Sequence, residues 1–190
     1  MPALPFIDLT FAEQEELKQM VFDVLQIGCE YHQLELPKAP VSPGLLQTAA
    51  SFVSLYVDQE LRGCTGTFKA EQALWRDVCE HAFSSAFEDS RFPSLFANEL
   101  SNCRLIISVL SPMLPMVNKG ESALLEELKP GIDGLMLQQG RRRALFLPVV
   151  WGSLSQPRAF VNGLKRKGGW AESYWSDDIE IFRFNVVAQY

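Results

Sequence analysis

The feature that most constrains the fold is the stretch Leu61–Thr67, which places an arginine, a cysteine and two glycines in a run with β-strand character. Side chains alternate between the two faces of a strand, so Arg62 and Cys64 are predicted to be neighbours on one face. Gly63 and Gly66 lack a Cβ atom and therefore permit positive φ or the close approach of another backbone or a ligand. The stretch is the best candidate for a functional site.

A guanidinium beside Cys64 favours the thiolate over the thiol. Across two strand steps, roughly 7 Å, Coulomb's law gives about 0.6 kcal/mol in water and about 2.4 kcal/mol at an effective dielectric near 20. Glu60, on the same face as Arg62, is able to offset that charge. The alternative is structural: free cysteine often serves as a small buried apolar group, and Gly63 and Gly66 suit a bulge or a tight packing site.

Two further side chains are candidates for the same site. His81, one of only two histidines, lies at the edge of the apolar stripe of a helix predicted over Glu71–Phe87, and is the natural candidate base for Cys64. Arg91 lies in the corner Asp89–Pro93, and its forked guanidinium suits a carboxylate or a phosphate. The structural alternatives are a hydrogen-bonded packing histidine and an Asp89–Arg91 pair that braces the corner.

Periodicity predicts the main helices and strands. Thr10 and Glu13 form a capping box that begins a helix at Phe11 and carries it to about Gln26 or a little beyond. Strands and hairpins are predicted over Ser51–Val57 with a turn at 58–60, over Cys103–Leu110, over residues 134–147 about a turn at 139–141, and over Ile179–Val187. These elements indicate an α+β fold, a mainly antiparallel sheet flanked by helices.

Length and composition limit the function classes. The 190 residues fit one domain, or one domain with a smaller subdomain inserted in its middle. A net charge of −6 and a pI near 5.0 argue against a general nucleic-acid or anionic-membrane binder. The basic runs Arg141–Arg143 and Lys165–Lys167 are the exceptions, and together suit either a patch that binds an anion or nucleic acid, or plain solvated surface.

The cysteine and histidine patterns predict neither a metal site nor a disulfide framework. The four cysteines form no C-x-x-C pair, and the two histidines stand far apart without a paired-ligand motif. The first residues, 1–5, lack the pattern of a secretion signal, and no apolar run reaches transmembrane length. A reducing cytoplasm is therefore the expected setting, and the sequence names no cofactor.

Leu61–Thr67 resembles the Leu-Arg-Gly-Cys-Ile-Gly signature of the AMMECR domain family. Further similar stretches follow in the family's order: Asp89–Pro93, Ser108–Leu110, Pro130–Gly134, residues 146–148 with Trp151, and Leu164 with Lys167. The set covers most of the chain, from about the first helix to the last strand. Thr65 departs from the family's usual isoleucine, and Val149 stands where a polar residue is usual.

The resemblance implies a single AMMECR-like domain over residues 1–190 without an established activity. Bacterial members are similar to protein A of the AmmeMemoRadiSam system, encoded near a Memo-like protein and a radical S-adenosylmethionine protein. By resemblance the chain is an accessory or ligand-binding component of such a system. The residues predicted to bind a ligand are Arg62, Gly63, Gly66 and Arg91. The alternative is a cysteine-dependent enzyme acting on a small anionic or carbonyl substrate, with Cys64 as nucleophile or general acid.

Overall fold

The computed structural model describes residues 8–190. Its α-helices are α1 (Phe11–Tyr31), α2 (Leu74–Phe87), α3 (Glu121–Glu127) and α4 (Pro157–Lys167), and 3-10 turns cover Ala97–Asn102 and Pro148–Gly152. Its strands are β1 (Ala50–Val57), β2 (Glu60–Gly66), β3 (Cys103–Leu110), β4 (Leu114–Met116), β5 (Gly134–Gln139), β6 (Arg142–Phe146), β7 (Glu180–Phe184) and β8 (Val186–Gln189). The strands form two antiparallel four-stranded sheets, which confirms the predicted α+β class.

The chain divides into two compact units. The first contains the described residues up to Ser111 together with Val187–Tyr190, and the second contains Pro112–Val186. In the first unit the sheet order is β2-β1-β3-β8, and α1 and α2 share one apolar core with the sheet. In the second unit the order is β4-β7-β5-β6, with α3 and α4 packed on it. Each unit therefore buries a core of its own.

Local signals placed most element starts correctly. The capping box is present: the Thr10 hydroxyl accepts from the Glu13 N–H at 3.3 Å, and the Glu13 carboxylate accepts from the Thr10 N–H at 2.9 Å. In the β1–β2 turn, Asp58 and Gln59 both have positive φ, as a tight hairpin requires. The start of α2 is at Leu74, later than the predicted Glu71.

The predicted last strand, Ile179–Val187, is two strands in the structure. β7 pairs with β4 and β5, whereas β8 joins the other sheet beside β3, and Asn185 lies between them. Ile107 and Tyr190 exchange backbone hydrogen bonds of 2.9 and 3.0 Å at the end of the β3–β8 pairing. Alternation of apolar residues indicates that a segment is extended, but it does not indicate which strands that segment pairs with.

The basic run at the end of α4 is bound within the second unit. Lys165 is fully buried, and its Nζ donates to the Glu121 carboxylate at 2.7 Å and to the carbonyls of residues 172 and 174. Arg166 pairs with Glu172 at 3.2 Å, and Lys167 donates to the Leu145 carbonyl at 2.9 Å. These cations therefore hold the loop after α4 and the strand β6 in place.

Candidate functional site

Among residues 8–190, β2 is the outermost strand of the first sheet, so the backbone of Cys64 lies at a sheet edge. Two side chains of the corner that follows α2 take the place of a strand there. The Cys64 N–H donates to the Asp89 carboxylate at 3.0 Å, and the Arg91 guanidinium donates to the Cys64 carbonyl at 2.8 Å. Both edge groups of Cys64 are thereby satisfied, as backbone groups at a protected edge must be.

The side chains of Asp89 and Arg91 also bind each other through two hydrogen bonds. Nε of Arg91 donates to Oδ1 of Asp89 at 2.8 Å, and Nη2 donates to Oδ2 at 2.5 Å. These bonds, together with the bond from the Cys64 N–H and against the effect of burial, lower the pKa of Asp89 to about 2. The Arg91 side chain remains 57% exposed, so a fixed guanidinium faces solvent beside Cys64.

Gly63 lets α2 approach β2 closely. A Cβ atom built on Gly63 would lie 1.9 Å from the carbonyl oxygen of Ser85, which belongs to the backbone of α2. No side chain fits in that space, so glycine is required at this position. Gly66 is equally restricted, because its Cβ would lie 2.4 Å from the Ser51 carbonyl oxygen and from the Phe52 ring.

The hydroxyl of Ser85 bridges a pair of backbone groups between β1 and β2. Ser85 Oγ donates to the Val53 carbonyl at 2.8 Å and accepts from the Thr65 N–H at 2.8 Å, although Val53 and Thr65 face each other in the pairing. The Thr65 hydroxyl adds a bond of 2.9 Å to the His81 carbonyl. An isoleucine, the residue of the similar signature at position 65, would lack this last bond.

Arg62 is held by acidic and carbonyl groups rather than open to solvent. Its Nε and Nη2 bond the two carboxylate oxygens of Glu99 at 2.9 and 3.0 Å, and its guanidinium also donates to the carbonyls of Pro93 and Ser94. The bond from Arg62 lowers the pKa of Glu99 despite the opposing effect of burial. The partner is therefore Glu99 and not Glu60, and the positive charge is neutralised locally.

Arg62 and Cys64 are not neighbours on one face of a regular strand, as predicted, because the strand is bulged at Arg62. The register shifts between Leu55 and Tyr56, so Leu55 faces Gly63 and Tyr56 faces Leu61, while Arg62 is an extra residue. Such a bulge interrupts the alternation on which the prediction rested. The Arg62 side chain binds Glu99, whereas the Cys64 side chain contacts Ser54 of the neighbouring strand β1.

The Cys64 thiol is half-buried on the sheet face opposite α2. Cys64 faces Ser54 across the pair, and the Ser54 hydroxyl donates to Sγ at 3.2 Å. Val53 and Leu55, the neighbours of Ser54 on β1, belong to the core shared with the helices. Since side chains alternate, Ser54 and Cys64 point away from that core.

His81 lies on the other face of β2, on α2. Its ring Nδ1 is 2.7 Å from the Asp77 carbonyl oxygen and 3.4 Å from the Asp77 carboxylate. Burial lowers the pKa of His81, but the Asp77 bonds and Glu80 outweigh it and raise the pKa overall. Asp77 is itself buried and accepts from the Ser51 hydroxyl at 2.6 Å. The structure thus brings Arg91 to Cys64 and places His81 apart from both.

The other three cysteines have different surroundings. Burial raises the pKa of Cys79 to about 12 and that of Cys103 to about 11, and nearby carboxylates add to both shifts. Burial and Glu99 also raise the pKa of Cys29. These thiols carry little thiolate at neutral pH, so they are poor nucleophiles.

Sequence reasoning missed three residues that shape the site. Ser85, Asp77 and Glu99 act through contacts with residues 20 to 37 positions away, and their types are common in helices and turns. The signal available was indirect: a glycine beside a predicted buried strand implied a close neighbour without naming it.

Within residues 8–190, no group of three or more His, Cys, Asp or Glu side chains is arranged to hold a metal ion. In the same range, every helix is too short or too polar to cross a bilayer.

Comparisons with known proteins agree with the fold. The sequence profile of the AMMECR1 family matches residues 18–189. A protein of Thermotoga maritima is 34% identical over 140 residues, which cover 73% of this chain and 75% of that protein. Protein MK0488 of Methanopyrus kandleri is 30% identical over 168 residues, which cover 82% and 79%. The crystal structure of the uncharacterized protein PH0010 from Pyrococcus horikoshii has a TM-score of 0.82, covers 90% of this chain and 87% of that chain, and shares the fold at 24% identity.

Replacing Gly63 with alanine tests the close approach of α2. The new methyl group would overlap the Ser85 carbonyl, so we expect the free energy of unfolding to fall by about 2–4 kcal/mol. Urea denaturation followed by circular dichroism measures it. Gly152→Ala is the control, because no atom of the described residues beyond its chain neighbours lies within 4 Å of a Cβ there, and its effect is expected to stay within about 0.5 kcal/mol. Equal effects of the two substitutions would contradict the packing role.

Arg91→Gln tests the Asp89–Arg91 pair. Loss of the guanidinium is expected to raise the pKa of Asp89 from about 2 toward 3.8, as measured by carboxyl-carbon NMR titration. Because the folded-state pKa is depressed, the stabilisation is present above pH 3.8 and is lost as the pH falls toward 2. The variant therefore loses less stability over that interval. Arg76→Gln, whose partner is Glu80, serves as control and leaves Asp89 unchanged.

Proposed function

Because this chain belongs to the AMMECR1 family, we propose that it is a cytoplasmic ligand-binding or accessory component that works with a Memo-like protein and a radical S-adenosylmethionine protein. The partners come from the resemblance to bacterial members of the family. The proposed contact surface for a small ligand or a partner is the edge of β2 at Cys64. No reaction is assigned to the protein in this proposal.

The observation that carries the binding proposal is the fixed, exposed guanidinium of Arg91. Asp89 and the Cys64 carbonyl hold Nε and Nη2, which leaves Nη1 without a hydrogen bond to the described residues. A guanidinium already fixed in place loses little conformational entropy when it binds an anion. The guanidinium is bound to the backbone of Cys64, whose side chain is half-buried. The ligand favoured by this surface is a small oxyanion.

Arg62, Gly63 and Gly66 support this surface indirectly in the proposal. Arg62 ties the strand to Glu99, and the glycines allow α2 and β1 to approach β2. Each of them thereby fixes the position of the Cys64 backbone. Their roles are positioning roles, whereas Arg91 offers an exposed guanidinium and Cys64 a half-buried thiol.

A pull-down with the tagged full chain tests the partner proposal. We expect the Memo-like and radical S-adenosylmethionine proteins of the source organism to be retained, and Arg91→Ala to reduce their recovery because it removes the exposed cation. Arg141→Ala, an exposed arginine of the β5–β6 turn, is the matched control and is expected to retain both. Recovery of neither partner by the unaltered chain would refute this proposal.

A second function, cysteine-dependent chemistry at Cys64, is favoured by the thiol itself. Cys64 is half-buried and accepts a hydrogen bond from Ser54, while the pKa values of Cys29, Cys79 and Cys103 are raised by burial. A hydroxyl donor stabilises a thiolate once it forms. The substrate class in this alternative is a small anionic or carbonyl compound, with Arg91 nearest to the developing charge.

Alkylation with iodoacetamide between pH 5 and pH 10 separates the two functions. Mass spectrometry is expected to find Cys64 modified before the other cysteines because their pKa values are raised. An enzyme role requires half-maximal alkylation of Cys64 at or below about pH 7. A half-maximal rate at about pH 8.5 or above, the ordinary range of a thiol, rejects the enzyme role and leaves the binding function. Cys64→Ala confirms the assignment of the modified site.

A further inference from the structure

A second candidate site lies at the turn end of the β1–β2 hairpin, apart from the Cys64 edge. An open depression of about 620 Å³ is lined by Tyr56, Asp58, Gln59, Asn102 and Arg104. Small-molecule sites in proteins commonly measure 300–1,000 Å³. The lining carries one cation, one anion and one primary amide on each of Gln59 and Asn102. A binding site of this composition suits a small polar ligand.

The guanidinium of Arg104 is positioned but unpaired. Arg104 faces Tyr56 across the β1–β3 pairing, and its Cζ lies 5.3 Å from the centroid of the Tyr56 ring. Within residues 8–190, Arg104 has no carboxylate within 4.0 Å and no side-chain hydrogen bond. Stacking on an aromatic face leaves the in-plane N–H groups of an arginine free to bind a carboxylate. Tyr56 thus holds the cation without using its donors.

The carboxylate of Asp58 is the complementary group. Asp58 and Gln59 form the turn with φ values of 49° and 69°, which fixes the Asp58 backbone at the rim of the depression. Over the described residues, the Asp58 carboxylate has no hydrogen bond and no ion pair. Asp58 and Arg104 therefore line one depression without binding each other. Two opposite charges that remain separate leave room for a ligand carrying both charges.

We propose that this depression binds a small zwitterion of the α-amino-acid class. The ligand carboxylate binds the N–H groups of Arg104, and its ammonium group binds the Asp58 carboxylate. The side-chain amides of Asn102 and Gln59 supply further donors and acceptors at the rim. A simple anion would leave Asp58 opposed by a like charge, and a simple cation would do the same to Arg104.

This site is independent of the proposed function at Cys64. The edge of β2 offers Arg91 and a thiol, whereas the depression offers Arg104 and Asp58, and no residue belongs to both sets. Loss of Cys64 is therefore expected to leave binding at the depression unchanged. Failure of one proposal carries no consequence for the other.

Titration of the ¹⁵N-labelled full chain with L-alanine tests the proposal by NMR. Propionate, which lacks the ammonium group, and ethylamine, which lacks the carboxylate, are the matched ligands. With L-alanine we expect saturable shifts of the backbone amides of Asp58, Gln59 and Arg104. Each matched ligand is expected to bind at least about tenfold more weakly than L-alanine. Shifts that never saturate, or equal binding of alanine and propionate, would overturn the proposal.

Variants locate the two charged contacts. Arg104→Gln is expected to weaken alanine binding roughly tenfold or more, and Asp58→Asn to make alanine and propionate bind equally. Tyr56→Leu removes the stacking face and is expected to weaken binding, whereas Tyr56→Phe keeps the face and retains it. Arg141→Gln and Cys64→Ala are controls that keep full affinity. Unchanged alanine binding in Arg104→Gln would place the ligand elsewhere and refute the assignment.

Discussion

The close contact between α2 and β2 is the constraint on which the Cys64 edge depends. The Ser85 carbonyl lies against Gly63, and the Ser85 hydroxyl bridges Thr65 and Val53 in the β1–β2 ladder. Because α2 lies so close to β2, it fixes both the position of β2 and the direction in which the edge of that strand faces. Because Asp89 follows directly after the end of α2, the same contact delivers the carboxylate to the Cys64 N–H.

Two arginines flank this edge, and their surroundings give them different uses. Arg62 is largely buried, and its N–H groups donate to Glu99 and to two carbonyls. These bonds hold the loop after α2 against β2. Arg91 also has an acidic partner, but its side chain remains 57% exposed. A buried ion pair costs desolvation and contributes mainly positioning, whereas an exposed one remains available to ligands. Of these two arginines, Arg91 is therefore the one whose guanidinium is accessible to solvent.

Local sequence signals predicted the elements well because they depend on nearby residues. The capping box at Thr10, the central strand over Cys103–Leu110 and the hairpin about Gly140 all involve spacings of a few residues. The contacts that define the site join distant positions, as with Arg62 and Glu99 at a separation of 37 residues. The bulge at Arg62 further breaks the alternation from which its direction was predicted.

The orientation of His81 decides what chemistry Cys64 is able to perform alone. The imidazole is bound to Asp77 on the α2 side of the sheet, while the Cys64 thiol contacts Ser54 on the opposite side. A thiol without a neighbouring base must lose its proton to solvent or to a bound ligand. Ser54 donates to sulfur and therefore cannot take that proton in the same arrangement. In the proposed binding function Cys64 and Arg91 contact the ligand without any such proton transfer, whereas chemistry at the thiol depends on its deprotonation by solvent or by a bound ligand.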